Sequence, residues 1–401
     1  MRTVQATALV LAFLVASALT QSDEAVVSFK RWIATHNVSC DALEWPVETP
    51  FGRGAVAARR VEPGEAICAV PPSLMLTSLR FDSNSTWSAI NGLPLNDKGE
   101  VEGKVKATLV LLREVELGAQ SFWAPYIGVL PKDPVTSIDD DAQAAEFQDD
   151  HLVRTLRSQD SQMREQGRVV RHALDQIKGN PYSAEAYSVD KYYWARQIVE
   201  SRVYGVHVDA KRPEVIALIP MLDLLNHNSD GNWYTIAVDS RSPVPDPWLF
   251  SGMCKTFSRV AVEPGAEVFN SYQPEDNWDL LIKYRFAEIN NTHDAARILD
   301  ADTNEVHVLP LDMNEDNLKE WCLQAFDATG VGEADVINKC INVVDTALAA
   351  MPTTLAHDLE LMQSRGPTTA LVYRTQRKAI LIKHAEQLRK LLSRLARVVD
   401  T

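Results

Sequence analysis

The chain has 401 residues and a formal net charge of −14, with 46% hydrophobic and 23% charged residues. That is long enough for two or three domains, or one large domain with an insertion, and the composition is that of a globular protein. The acidic balance argues against nucleic acid as the main partner, because phosphate recognition needs a basic surface, and it suits a basic substrate segment drawn to an acidic face.

In chain order, the N-terminus reads as a targeting segment. Met1-Arg2 precede a short apolar run from Ala6 to Leu19 that contains Ala16, Ser17 and Ala18, the pattern of a charged n-region, an h-region and an A-x-A-like cleavage site. The run is too short, and too soon followed by Asp23-Glu24, for a spanning helix. Residues 1–20 are therefore expected to be a signal peptide. The expected location is the secretory pathway (ER lumen or secretion), with no membrane attachment after removal of the signal; a plastid reached through the secretory route is the alternative. Residues 25–36 predict a short amphipathic helix. Residues 54–77 predict strands on either side of the Glu62-Pro63-Gly64-Glu65 turn.

From about 100 to 200 the pattern becomes helical. VKATLVLLREVELG ends at Gly118, and VDKYYWARQIVESRVYGV begins with a cap at Asp190. EVIALIP returns to a β-type run, residues 231–272 are strand-like, and the chain is helical again from about 315. The last stretch, from Thr369, is a long amphipathic helix with a basic outer face. Strands, a helical block, strands and then helices predict an α+β fold with an insertion.

Cys40, Cys68, Cys254, Cys322 and Cys340 are odd in number, so at least one thiol stays outside any pairing within the chain. They lack the close pairs of a zinc site, and no metal is expected. Buried single cysteines are the default reading, although a secretory chain permits disulfides. Three triplets, Asn37-Val38-Ser39, Asn84-Ser85-Thr86 and Asn290-Asn291-Thr292, have the glycosylation pattern.

Four clusters can carry chemistry. Gly52-Arg53-Gly54 precedes a strand, not a helix, which argues against a dinucleotide fold; it is either a turn or a close backbone approach to a ligand. Asp223, Asn226 and His227 end the run IPMLDLLNHN, and Asp223 and Asn226 share a face if the segment is helical. The plainer reading is a cap and a buried histidine bonded to backbone. Arg202 offers a planar fork that suits a carboxylate, or a surface ion pair. In VEPGAEVFNSY a Pro-Gly turn and a short strand lead to Tyr272, which is otherwise a core tyrosine at a strand end.

In this order, together with FGRGAVAARRVEPGEAICAVPPSLMLT and EDNWDLLIKYRFAEINNTHD, these segments resemble the SET-domain protein methyltransferases. They are similar to the branch that includes the Rubisco large-subunit lysine methyltransferase and the actin-histidine methyltransferase. The resemblance implies a SET-domain β-fold with a pseudoknot over residues 21–300, a helical insertion at about 80–200, and a C-terminal helical, substrate-binding-like domain over 301–401. It implies methyl transfer from S-adenosylmethionine (SAM) to a protein side chain. Gly52, Arg53 and Gly54 would lie against SAM, and Arg202, aligned with Trp194 and Ser201, would meet its carboxylate. Asp223, Asn226 and His227 would hold SAM, partly through backbone groups, with His227 binding and structural rather than a general base. Tyr272 would be catalytic, and Phe286 would stack on the adenine or line the pocket near Asn277. Asn226, His227 and Tyr272 are thus expected in one pocket beside Gly52 to Gly54.

Arg285 stands where the family usually has glycine, and a positive φ there would strain the turn. The aromatic segment Trp123 to Asp133 is expected to pack the insertion on the core, and Tyr373, Arg374 and Lys378 to be architectural. The resemblance implies that a histidine-modifying member carries Asn just after the Ser/Thr-Arg pair and Trp just before the Asp. Here those positions are Val203 and Leu222, which favours a lysine substrate with its alkyl stem in an apolar channel. The alternatives are a protein-histidine methyltransferase and a non-catalytic protein-binding module on a SET scaffold.

Overall fold

The computed structural model describes residues 24–49, 52–78, 98–132, 138, 140–177, 180, 182–183, 185, 187–206, 215–229, 234–238, 254–300, 303–326 and 331–399. The signal-peptide segment, the triplet at Asn84 and Asp133 lie outside the described residues. The chain divides into two compact units: residues 1–134 with 161–271, and residues 135–160 with 272–401.

The first unit is built from small antiparallel sheets on a helical base. β1 (Leu43–Thr49) pairs with β2 (Gly52–Ala57); β3 (Ala66–Val70) pairs with β8 (Cys254–Ser258), which pairs with β7 (Tyr234–Val238); β4 (Leu76–Thr77) pairs with β6 (Val215–Leu218), which pairs with β5 (Tyr204–Val206). β1 escapes the sequence reading because Pro46 interrupts it. The register shifts between Glu44 and Val47, where a residue without an N–H can be accommodated. β6 reads VIAL and is buried throughout, as a run without alternation requires.

The N-terminal helix, residues 24–35, buries Phe29 and Trp32 beside Trp45 and Tyr126. Helix Lys98–Leu117 supplies Val105, Leu109 and Leu112 to the same core. Helix Val189–Arg202 is capped by Ser188, whose side chain accepts from the Lys191 N–H, and not by Asp190. Asp190 instead lies in the first turn, where its charge suits the helix N-terminus, and pairs with Arg164 at 2.9 Å.

The second unit holds helix Asn277–Tyr284, the hairpin of β9 (Ala295–Leu299) and β10 (Val306–Pro310), and helices Glu315–Ala325, Glu333–Ala349, Leu355–Arg365 and Thr369–Val399. One apolar cluster joins the hairpin to these helices through Ile298, Leu309, Leu318, Ile337 and Leu381. Another gathers Phe147, Leu152, Leu156, Trp278, Leu281 and Tyr373. The last helix departs from the expected basic outer face. Arg389 and Arg394 are exposed and pair with Asp345 and Glu315, but Arg374, Arg377 and Lys378 are buried. They turn inward because acidic partners wait there: Asp358 for Arg374 and Lys378, and Asp149 for Arg377.

Four cysteines are paired, which corrects the reading of buried single thiols. Cys40–Cys68 lies in the first unit and Cys322–Cys340 in the second, while Cys254 is free, with burial pushing its thiol up to about 12. The sequence separations are 28 and 18 residues. Cross-links closing loops of that length stabilise by about 3–4 kcal/mol each, chiefly by restricting the unfolded chain. Denaturant unfolding with and without reductant is expected to show a loss of that size for each cross-link, and the Cys322→Ser/Cys340→Ser pair should reproduce the share of the second unit.

Candidate active site

Three segments distant in sequence meet in the first unit. β2 is flanked on its other side by residues 266–268: Val56 bridges Glu267, the Val268 N–H donates to the Ala55 carbonyl at 2.7 Å, and the Ala57 N–H donates to that of Ala266 at 2.9 Å. Asn226 to Asn228 then run parallel to Asn270, which donates its N–H to the Asn226 carbonyl at 2.7 Å and accepts from the Asn228 N–H at 3.3 Å. The Asn-His and strand-to-tyrosine segments are thereby brought side by side.

At this junction the Asn226 Nδ2 donates to Glu267 Oε1 at 2.8 Å. Gly54 lies against the pair. A Cβ built there would be 2.5 Å from Glu267 Oε1 and 2.7 Å from Asn226 Nδ2, so only a residue without one fits as the site stands. At Gly54 the backbone is therefore in close approach to two side chains of the chain itself. Glu267 also fixes which way round the Asn226 amide sits: its nitrogen is committed, and its carbonyl oxygen is the end left to accept from a ligand. Gly52 has φ +94, with open space where a Cβ would stand. Arg53 is exposed, and its Nη2 donates to the Val129 carbonyl at 3.4 Å.

Behind the junction lies a polar cluster. Residues Leu222–Leu224 form a single 3-10 turn and Leu225 is extended, so Asp223 and Asn226 do not share a helical face. Arg202, at the end of its helix, donates through Nη1 to the Asp223 carbonyl at 2.5 Å. The Tyr126 hydroxyl donates to Asp223 Oδ2. The Tyr204 hydroxyl donates to the Leu222 carbonyl at 2.8 Å and accepts from Asn270 Nδ2 at 2.6 Å. Asp223 Oδ1 is buried and has no hydrogen-bond partner among the described residues. His227 is buried, with Nε2 bonded to Ser229 Oγ at 2.9 Å, so the ring is held and the backbone does the pairing.

Burial pushes the Asp223 carboxyl up to about 7, against the opposing pull of Arg202 and the Tyr126 hydrogen bond. From about pH 4 to about pH 7 the folded chain therefore keeps a proton that the unfolded chain has released, and stability falls as pH rises through that window. Asp223→Asn cannot ionise. It is expected to match the wild type near pH 4 and to exceed it at pH 8 by up to about 4 kcal/mol, at about 1.4 kcal/mol per pH unit. Urea midpoints at the two pH values check this.

In the second unit, Tyr272, Tyr284 and Phe286 form an aromatic group, with ring centroids 4.8 Å apart for Tyr272 and Tyr284 and 6.3 Å for Tyr272 and Phe286. Tyr272 is half-buried and follows Asn270 by two residues along the chain. Asn277 is buried and braces the turn after its helix: its Nδ2 donates to Asp294 Oδ2 at 2.8 Å and its Oδ1 accepts from the Glu288 N–H at 2.7 Å. Arg285 caps that helix with φ 65, the left-handed conformation that favours glycine. A side chain there costs about 1–2 kcal/mol. The guanidinium offsets this by donating to Asp160 Oδ1 at 2.5 Å and Gln159 Oε1 at 2.8 Å, charge-assisted bonds in a buried place.

The structure superimposes on the crystal structure of the SET domain of LSMT bound to lysine and AdoHcy, with a TM-score of 0.64, 18% identity, and coverage of 92% of this chain and 91% of that one. The structure of Rubisco LSMT bound to AdoMet gives the same TM-score at 17% identity, over 92% and 93% of the two chains. The fold is that of the SET domain. No family model matches the chain.

Among curated proteins, the chain is 24% identical to the tobacco (Nicotiana tabacum) chloroplastic ribulose-1,5 bisphosphate carboxylase/oxygenase large subunit N-methyltransferase, over 67% of this chain and 52% of that protein. It is 22% identical to SET domain-containing protein 4 of Artemia parthenogenetica, over 86% and 83%. It is 23% identical to the chicken (Gallus gallus) actin-histidine N-methyltransferase, over 67% and 43%. The match thus spans about half the length of the tobacco and chicken relatives. The relatives fall in the branch to which the motifs pointed.

Two residues of this junction and its polar cluster escape a reading of motifs. Glu267 looks like a surface charge after the Pro264-Gly265 turn, and the bridge to Val56 is what makes it a partner of Asn226. Tyr126 looks like a packing aromatic, and its hydroxyl finds Asp223 only after folding. Among the described residues no helix is long and apolar enough to cross a membrane.

Proposed function

We propose that the protein is a SAM-dependent protein N-methyltransferase acting on a lysine side chain, in the secretory pathway. The observation that carries the reading is the Gly54–Asn226–Glu267 junction, where bare backbone lies against an amide whose carbonyl oxygen is free to accept. An ammonium-bearing ligand suits that oxygen, and Arg202 is the nearby cation suited to its carboxylate. Bound there, SAM would supply an electrophilic methyl group on a sulfonium.

The chain's own residues have three tasks in this account. Asn226 and Arg202 bind, and His227 holds the backbone pairing with Asn270 that supports Asn226. Tyr272, with Tyr284 and Phe286 packed around it, excludes water and directs the acceptor amine through its hydroxyl. A lysine amine is protonated at neutral pH, and an apolar channel beside a positive charge lowers its pKa, so the amine attacks without a dedicated base. Apolar Val203 and buried Leu222 support lysine over histidine as the acceptor.

The test uses radiolabelled SAM, an extract of the source cells and hydrolysis of the labelled protein. Label in methyllysine is expected. Tyr272→Phe should lower transfer by about 10²–10³-fold, the size of losing one preorganised hydroxyl at a reacting centre, with SAM binding kept. Label in methylhistidine would replace the lysine reading. No label from folded, SAM-binding protein would leave a recognition module.

A further inference from the structure

We infer that Asn37 and Asn290 are sites of N-linked glycosylation, one in each compact unit. The inference is independent of methyl transfer and rests on the secretory reading. Asn37 follows the N-terminal helix with φ 58, and Asn290 lies in the turn before β9 with φ 56. Both are exposed. Neither side chain hydrogen-bonds to a described residue, so each amide nitrogen is available. The hydroxyl residues two positions on, Ser39 and Thr292, are exposed as well. Asparagine tolerates the left-handed conformation at such turns, and a sugar attached there extends into solvent.

The adjacent Asn291 sharpens the point. It is buried, its Nδ2 donates to the Glu275 carbonyl at 2.8 Å, and its Oδ1 accepts from the His293 N–H at 2.9 Å. A glycan on Asn291 would destroy those bonds. Yet His293, two residues on, makes Asn291 no acceptor, and the triplet places the acceptor one residue earlier, in the open. The fold thus spares the asparagine it needs and exposes the one that can be modified.

Cys40–Cys68 and Cys322–Cys340 place one disulfide in each unit, and disulfides persist where the surroundings are oxidising. The lumen that forms them also holds the oligosaccharide donor, a lipid-linked pyrophosphate. The transfer breaks the bond from the sugar's anomeric carbon to the pyrophosphate oxygen. It forms a bond from that carbon to the asparagine amide nitrogen, which gives up one proton, and the lipid pyrophosphate leaves. Nothing is oxidised or reduced.

The experiment expresses the full chain, with its own N-terminus, in a eukaryotic secretory host. The purified protein is treated with peptide-N-glycosidase in heavy-oxygen water. The peptides carrying Asn37 and Asn290 are expected to appear as labelled aspartate. Asn37→Gln and Asn290→Gln should each remove one glycan step on a gel, as should Ser39→Ala and Thr292→Ala, which keep the asparagine should its replacement impair folding. Secreted, disulfide-bonded protein with both asparagines unmodified would overturn the inference, and so would chain retained in the cytosol with reduced thiols.

Discussion

Asp358→Ala is expected to cost about 3–5 kcal/mol of stability, the penalty for breaking a buried ion pair from one side. Asp358 is 0% exposed and lies between Lys378 Nζ at 2.5 Å and Arg374 Nη2 at 3.0 Å, themselves 2% and 3% exposed. Lys378 directs its other donors to Gln148 Oε1 at 2.8 Å and Thr353 Oγ1 at 2.7 Å, so its three N–H bonds are all used. Arg374 also donates to the Glu146 carbonyl at 2.8 Å. Alanine at 358 would leave the buried Lys378 without its carboxylate and Arg374 with that of Glu146 alone among the described residues. Asp358→Asn keeps an acceptor and removes the charge, so it should fall between alanine and wild type. Lys378→Met should cost less than Asp358→Ala, since Asp358 would keep Arg374. Guanidinium unfolding of the three variants, followed by circular dichroism, gives the order. Equal midpoints for Asp358→Ala and wild type would mean that the network contributes nothing.

A large loss of function at the junction is expected of Gly54→Ala. The new methyl would sit 2.5 Å from Glu267 Oε1 and 2.7 Å from Asn226 Nδ2. Both are ends of side chains, able to swing away, so the fold should survive with a shift of less than about 1 kcal/mol, as for substitutions that strain no backbone. The bond between Asn226 and Glu267 should not survive, and with it goes the fixed orientation of the Asn226 carbonyl oxygen. Affinity for SAM is expected to fall at least about tenfold, about 1.4 kcal/mol, while the melting temperature barely moves. A variant that loses affinity and stability together would instead mark Gly54 as a packing residue.

Much of this architecture was legible because local chemistry and global fold agree. The helix at 24–35, the strands around Pro63-Gly64 and the buried run of β6 follow from periodicity and turn residues alone. What could not be read depends on partners distant in sequence. Pro46 hid β1, whose pairing tolerates it through a register shift. Ser188 and Asp190 both suit a helix start, and only the backbone at Ser188 decides which one caps. Arg374 and Lys378 are architectural, as expected, but nothing local announces Asp358 as the partner that buries them. Five cysteines could not be paired from spacing, since pairing needs the fold to bring them together. At the site, Gly54 and Asn226 were legible through their motif, whereas Glu267, which joins them, was not.

The most direct test is calorimetric titration of the folded, disulfide-bonded protein with SAM, beside Asn226→Ala. Saturable binding at one site in the wild type, lost or weakened at least about tenfold in the variant, is the predicted result. Binding unchanged by Asn226→Ala, or no binding by well-folded wild type, would contradict a cofactor site at the Gly54–Asn226–Glu267 junction.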